Sequence, residues 1–136
     1  MHCFTGDGRL VKSWRTPGKA EGQFHLSHSI AFDPDGKLYV AGRTKRIQIF
    51  TADGEFLGQW TGMGARTITR GKDGNFYIAE QEDEGKPAYV CVRDENGAVL
   101  ARMESRHVHG VGVDGHGDIY AGLTQNRSVY KFVRVG

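Results

Sequence analysis

Three observations predict an all-β chain built as propeller blades. A block of apolar strand, Asp-Gly or His-Gly turn and Tyr-bearing strand occurs three times, starting at His28, Arg66 and His109. The starts are 38 and 43 residues apart, and periods near 40 in a β-rich chain belong to propeller blades. No window carries helical apolar periodicity, and 20 glycines against 3 prolines, many in Asp-Gly or Asn-Gly pairs, mark short strands joined by tight turns.

The chain opens with Cys3-Phe4-Thr5-Gly6-Asp7-Gly8-Arg9-Leu10-Val11-Lys12-Ser13-Trp14. This run repeats Ile49-Phe50-Thr51-Ala52-Asp53-Gly54-Glu55-Phe56-Leu57-Gly58-Gln59-Trp60, with Phe, Thr, Asp, Gly and Trp in register. Residues 1–16 are therefore expected to form an outer strand found at the opposite end of the chain from the blade that needs it. Blade 1 is placed at 24–60, with strands through His28, Tyr39, Ile47-Gln48-Ile49 and the run ending at Trp60. Blade 2, residues 61–103, repeats the order through Arg66, Tyr77, Val90-Cys91-Val92 and a strand ending near Met103. Blade 3, residues 104–136, runs through His109, Tyr120 and Val129-Tyr130-Lys131-Phe132 and lacks a fourth strand. Each third strand alternates, as in a sheet packed on one face.

Residues 1–136 thus read as a single domain of three blades. Roughly four to eight blades are needed to close a ring, and an open stack leaves two sheet edges exposed. The expected solution is a C2 homodimer, a six-bladed ring in which each N-terminal strand closes the partner's last blade.

Composition bounds the function. With 38% apolar and 25% charged residues, 136 residues make one globular domain. A net charge of +2 with dispersed basic residues argues against nucleic acid as a partner held by bulk charge. No stretch approaches the roughly 20 apolar residues of a membrane helix, and the N-terminus lacks the order of a signal peptide. The cytoplasm is the expected compartment, with secretion if the chain belongs to a longer precursor. Cys3 and Cys91 are widely separated and read as free thiols.

The stretch Gly22-Gln23-Phe24-His25-Leu26-Ser27-His28-Ser29-Ile30, then Asp33-Pro34-Asp35-Gly36-Lys37-Leu38-Tyr39-Val40-Ala41 and Arg46-Ile47-Gln48-Ile49-Phe50, resembles an NHL repeat. The resemblance covers about residues 17–132 and implies units of a six-bladed propeller. Among NHL proteins the chain is most similar to the peptidyl-α-hydroxyglycine α-amidating lyases. That resemblance implies zinc held by His28 and His109, although Ser27 and Val108 stand where the lyases have proline. It also implies release of a peptide amide and glyoxylate by a tyrosine base in a second-to-third loop. None of the three loops here contains a tyrosine.

Strand direction separates scaffold from site. Strands run up and down a blade, so connections into the first strand and the second-to-third loops share one face. That face collects His28, Arg66 and His109 near the axis, with loops 42–45, 80–86 and 123–127 around them. His28 and His109 are expected to become neighbours across the dimer interface and to offer zinc its imidazoles. His107, two residues before His109, could join them or a ligand. Arg66 and Arg43 suit a carboxylate or phosphate, because a guanidinium donates two parallel hydrogen bonds; pairing of Arg66 with Glu80 or Glu82 is the alternative. The acidic run Glu80-Gln81-Glu82-Asp83-Glu84 reads as a solvated face, which argues against calcium. Tyr39, Tyr77 and Tyr120 read as blade packing, and Trp14 and Trp60 as wedges between blades. The expected function is a propeller module binding a small-molecule, peptide or protein ligand through its axial face; the zinc lyase is the alternative.

Overall fold

In blades 1 and 3 the turn from first to second strand is held by one aspartate acting twice. Asp33 Oδ1 accepts the Lys37 N–H at 2.8 Å, and its Oδ2 accepts the Tyr39 hydroxyl at 3.2 Å. Asp114 does the same with the Asp118 N–H at 3.1 Å and the Tyr120 hydroxyl at 3.2 Å. In the middle block Gly71 takes the place of this aspartate, and Asp73, two residues on, accepts the Tyr77 hydroxyl at 2.8 Å instead. Burial, reinforced by the aspartates, pushes the Tyr39 and Tyr77 hydroxyls up to about 12, so both stay donors.

The computed structural model describes residues 1–14, 16–81, 87–125 and 127–135. Its strands are β1 (His2–Phe4), β2 (Leu10–Ser13), β3 (Ser27–Phe32), β4 (Leu38–Gly42), β5 (Arg46–Phe50), β6 (Phe56–Thr61), β7 (Ala65–Arg70), β8 (Phe76–Glu80), β9 (Tyr89–Arg93), β10 (Val99–Glu104), β11 (Val108–Val113), β12 (Ile119–Leu123) and β13 (Ser128–Phe132). They make two four-stranded blades, β3-β4-β5-β6 and β7-β8-β9-β10, a three-stranded blade β11-β12-β13 and the hairpin β1-β2. All pairings are antiparallel between neighbours in sequence, as in NHL-type propeller blades. The described residues contain no helix, and none long and apolar enough to cross a membrane.

Blades pack face to face. One face of blade 1 (Tyr39, Ala41, Ile47, Trp60) meets one face of blade 2 (Ile68, Phe76, Ile78, Cys91) in a single buried cluster. Tyr39, Trp60 and Phe76 stack there with ring centroids 4.3–5.4 Å apart. The other face of blade 2 (Tyr77, Ala79, Val90, Val92) meets blade 3 through Val111, Ile119 and Ala121. The Trp60 indole lies over Gly97, whose φ of +86° and missing Cβ allow the approach. Cys3 is exposed and Cys91 buried, and both are free. Burial, then Glu80, pushes the Cys91 thiol up to about 11.

The N-terminal segment folds as two strands, where the sequence suggested one. Its pairing Cys3↔Lys12 and Phe4↔Leu10, with a register shift between Cys3 and Phe4, reproduces Ile49↔Gly58 and Phe50↔Phe56 with the shift between Ile49 and Phe50. The hairpin is therefore the outer half of a blade, third and fourth strands together. It lies on its own blade 1: Trp14 covers Gly54 as Trp60 covers Gly97, Lys12 Nζ donates to the Asp53 carbonyl at 2.7 Å, and Met1 packs on Leu38, Val40 and Phe50.

Candidate functional site: three bulged side chains at the axis

The innermost strands β3, β7 and β11 lie side by side. Side chains tie them: Ser29 Oγ donates to the Ile68 carbonyl at 3.3 Å, and Thr67 Oγ1 donates to the His109 carbonyl at 2.7 Å. Each strand carries a bulge at the same place. Ser27 pairs with Gly42 and Ser29 with Ala41, which leaves His28 unpaired. Ala65 and Thr67 flank Arg66 in the same way, and Val108 and Gly110 flank His109. A bulge inserts a residue that the partner strand does not match and re-aims its side chain. The residues at the three bulges are the histidine, arginine and histidine singled out from the sequence.

His28 and His109 come together within one chain, their ring centroids 6.3 Å apart and their planes at 66°. Two nearby blades of one chain supply the pair that the sequence reading assigned to two chains. Burial, then the charge of Arg43, then His109 and Arg66, hold His28 below the usual histidine value. The cluster sets the two imidazoles beside the guanidinium groups of Arg43 and Arg66. Arg43 Nε donates to Gln81 Oε1 at 3.1 Å, which anchors loop 42–45 of blade 1 to blade 2. Arg66 has no hydrogen-bond or ion-pair partner among the described residues.

Glu80 is not the partner of Arg66. It is a residue of β8, only 2% exposed, and its Oε2 accepts from Arg102 Nε at 3.1 Å and from Arg102 Nη2. Arg93 stands 3.8 Å from its other oxygen, and Arg102 lies 4.4 Å over the Tyr89 ring. Two arginines on the next strands hold a carboxylate that an acidic stretch suggested was loop surface. Residues 82–86, which carry the rest of that stretch and the calcium alternative, lie outside the described residues.

His107 precedes β11 with φ +59°, and its carbonyl accepts the Thr124 N–H at 3.3 Å. The strand alternation that would align it with His109 does not apply across this turn and bulge. Leu26, Lys45 and Arg127 share the left-handed backbone, φ 49–58°, which carries strain in side-chain-bearing residues. All four lie on the axial face, Leu26 and His107 two residues before a bulge and Lys45 and Arg127 just before a third strand.

Two clefts, of which the first reaches the cluster through Arg43, were not visible in the sequence. One, about 350 Å³, is lined by Lys19, His25, Leu26, Arg43, Lys45 and Arg46. The other, about 340 Å³, lies between blades 1 and 2 and is lined by Lys45, Met63, Glu80, Gln81, Tyr89 and Arg102 among others. Repeated composition could not reveal them, because each is made by loops of differing sequence.

The donor set can be compared with what zinc requires. Among the described residues no group of three His, Cys, Asp or Glu side chains is placed to hold a metal ion. His28 and His109 provide two imidazoles, with the charges of Arg43 and Arg66 nearby, so the described residues supply fewer ligands than the three or four a zinc site uses.

No protein-family model matches the chain. Human NHL repeat-containing protein 3 is 37% identical over 70 residues, 47% of this chain and 20% of that protein. The mouse protein of the same name is 36% identical over 100 residues, 60% of this chain and 29% of that protein. The similarity supports an NHL-repeat family. The chain spans less than a third of the length of these curated relatives. NHL-type blades fix the scaffold, and the chemistry has to be argued from the axial side chains.

Proposed function

We propose that this chain is an NHL propeller module that binds an anionic ligand, a carboxylate or a phosphate, at the axis through Arg66 and Arg43 with His28 and His109 as further donors. The bulges carry this reading: the same irregularity aims a donor-rich side chain from each of three inner strands, and Arg66 has no partner among the described residues. A guanidinium at a partly buried place binds oxyanions through parallel charge-assisted hydrogen bonds. The nearest buried carboxylate, Glu80, is already occupied by Arg102, so it does not compete for the site. The basic cleft beyond Arg43 gives room for the rest of the ligand.

Zinc is the second reading, favoured by the 6.3 Å between the two rings. It needs at least one further ligand from outside the described residues. The amidating lyase would require in addition a base that no second-to-third loop supplies as tyrosine.

Sulfate titration followed by calorimetry tests the first reading, because sulfate keeps its charge across the working pH range. Arg66→Ala is expected to weaken sulfate about tenfold or more, in line with ~1.5–3 kcal/mol for a hydrogen bond to a charged group. Equal sulfate binding by the variant would sink the anion site. Stoichiometric zinc, lost in His28→Ala and His109→Ala, would replace it with the metal reading.

A further inference from the structure

Blades 1 and 2 differ at one repeat position, and the difference leaves a buried arginine without an acid. Gly42 ends the second strand of blade 1 where Glu80 ends that of blade 2. Continuing the Ala41↔Ile47 register sets Gly42 opposite Arg46, as Glu80 is opposite Tyr89. In blade 2 the carboxylate at this position meets Arg93 and Arg102. In blade 1 no side chain fits without a shift of backbone, because a Cβ on Gly42 would come within 2.9 Å of the Leu26 carbonyl oxygen.

Arg46 is only 9% exposed, and among the described residues its side chain makes one hydrogen bond, from Nη2 to the Gln23 carbonyl at 2.9 Å. Its Nε is buried with no hydrogen-bond partner, and no ion pair reaches it among the described residues. A neutral carbonyl fixes the guanidinium in place without offsetting its charge, and a buried charge left without a counterion is costly. The Gln23 carbonyl also accepts from Gln48 Nε2 at 2.8 Å, and Gln23 Oε1 accepts the Ala20 N–H at 3.1 Å. These bonds order the loop that brings Lys19 to the cleft of about 350 Å³ that Arg46 also lines. Among the described residues that cleft has no carboxylate on its walls, and it shares Arg43 with the axial cluster around His28.

We propose that the ligand held at the axis is a small dicarboxylate, whose second carboxylate enters this cleft and pairs with Arg46 and Lys19. It takes the part that Glu80 plays in blade 2, an acid brought by the ligand to a position where the chain has glycine. A planar carboxylate matches the fork of a guanidinium through parallel charge-assisted hydrogen bonds. Leu26, 54% exposed on the cleft wall, offers contact to the apolar chain between the two charged ends. Arg43, common to the cluster and the cleft, links the two subsites. This inference rests on the anion site at the axis and specifies what it takes.

Calorimetry with sulfate, with the dicarboxylates adipate and suberate, and with their monocarboxylate counterparts hexanoate and octanoate tests it. Sulfate reports the axis through its dependence on Arg66, and each dicarboxylate differs from its counterpart by the second charged end. At least one dicarboxylate should bind about tenfold or more tighter than its counterpart, in line with added hydrogen bonds to a charged group. Lys19→Glu, at an exposed position, should erase that advantage while Arg66-dependent sulfate binding persists. Arg46→Gln, which keeps a donor for the Gln23 carbonyl, should do the same. Equal affinity within both pairs, with Arg66-dependent sulfate binding present, overturns the second subsite and leaves the axial site standing. An advantage that survives Lys19→Glu and a folded Arg46→Gln protein overturns it as well. Sulfate binding indifferent to Arg66→Ala overturns the axial site, and the dicarboxylate with it.

Discussion

Blade 2 is packed on both faces by whole blades, whereas the outer face of blade 1 carries only the β1-β2 hairpin, and the far face of blade 3 keeps Tyr120 and Val129 exposed. Phe76 and Ile78 are fully buried between blades, and their counterparts Leu38 and Val40 are buried beneath the hairpin. Ile30 and Phe32, on the strand the hairpin leaves open, and Tyr120 and Val129 on blade 3 remain exposed. The repeat therefore specifies apolar blade faces, and burial follows only where a neighbour covers them. Roughly 25 cal/mol per Å2 of apolar surface is gained at each contact made and forgone at each one left open.

The contrast is broken most severely by removing Phe76. Phe76→Ala should cost about 3–5 kcal/mol in urea unfolding, the range for a fully buried aromatic. Phe32→Ala should cost under about 1 kcal/mol because surface substitutions rarely exceed that. Comparable losses would show that the outer face is not open.

Next in size is Glu80. Glu80→Gln should cost about 3 kcal/mol, the low end for breaking a buried pair, because Arg102 is half-exposed and can turn to water. A change below about 0.5 kcal/mol, the scale of an ordinary surface site, would mean that the carboxylate is not what orders β8, β9 and β10.

The turn clamp sharpens the comparison. Tyr77→Phe removes a buried hydroxyl bond to Asp73 and should cost about 1 kcal/mol. Tyr120→Phe removes the equivalent bond to Asp114 in water and should cost less than half of that, measured by the same unfolding curves.

The smallest effect is at the axis and depends on pH. His28 is held below its ordinary value of 6.5 by burial and by Arg43, His109 and Arg66. It is therefore neutral at pH 7 and charges only as pH falls through its lowered value. Each added charge beside a bound anion contributes ~1 kcal/mol, so sulfate affinity should rise about fivefold as pH falls from 8 through the lowered His28 value. His28→Gln should flatten that profile, and an unchanged slope would remove His28 from the site.

Much of the scaffold was legible because turn chemistry is local. Asp33, Asp114 and the glycines after them announce each turn, and Tyr39, Tyr77 and Tyr120 repeat at one offset from it. Trp14 and Trp60 were correctly read as wedges for the same reason. The site was half legible: His28, Arg66 and His109 were found by alignment of the repeats, but not the bulges that aim them, since register is a property of two strands and no single run of residues states it. Glu80 was misplaced because its carboxylate is held by Arg93 and Arg102, 13 and 22 residues away. The hairpin was read as one strand because β1 is only three residues long, too short to alternate visibly.

Hydrogen exchange tests this contrast in packing most directly. Amides of β7, β8 and β9 in the middle blade should be the most protected, and those of β3 and β13, which carry the exposed Ile30, Phe32 and Val129, markedly less so. Protection of β3 and β13 equal to that of β8 would contradict the claim that packing on both faces sets the middle blade apart.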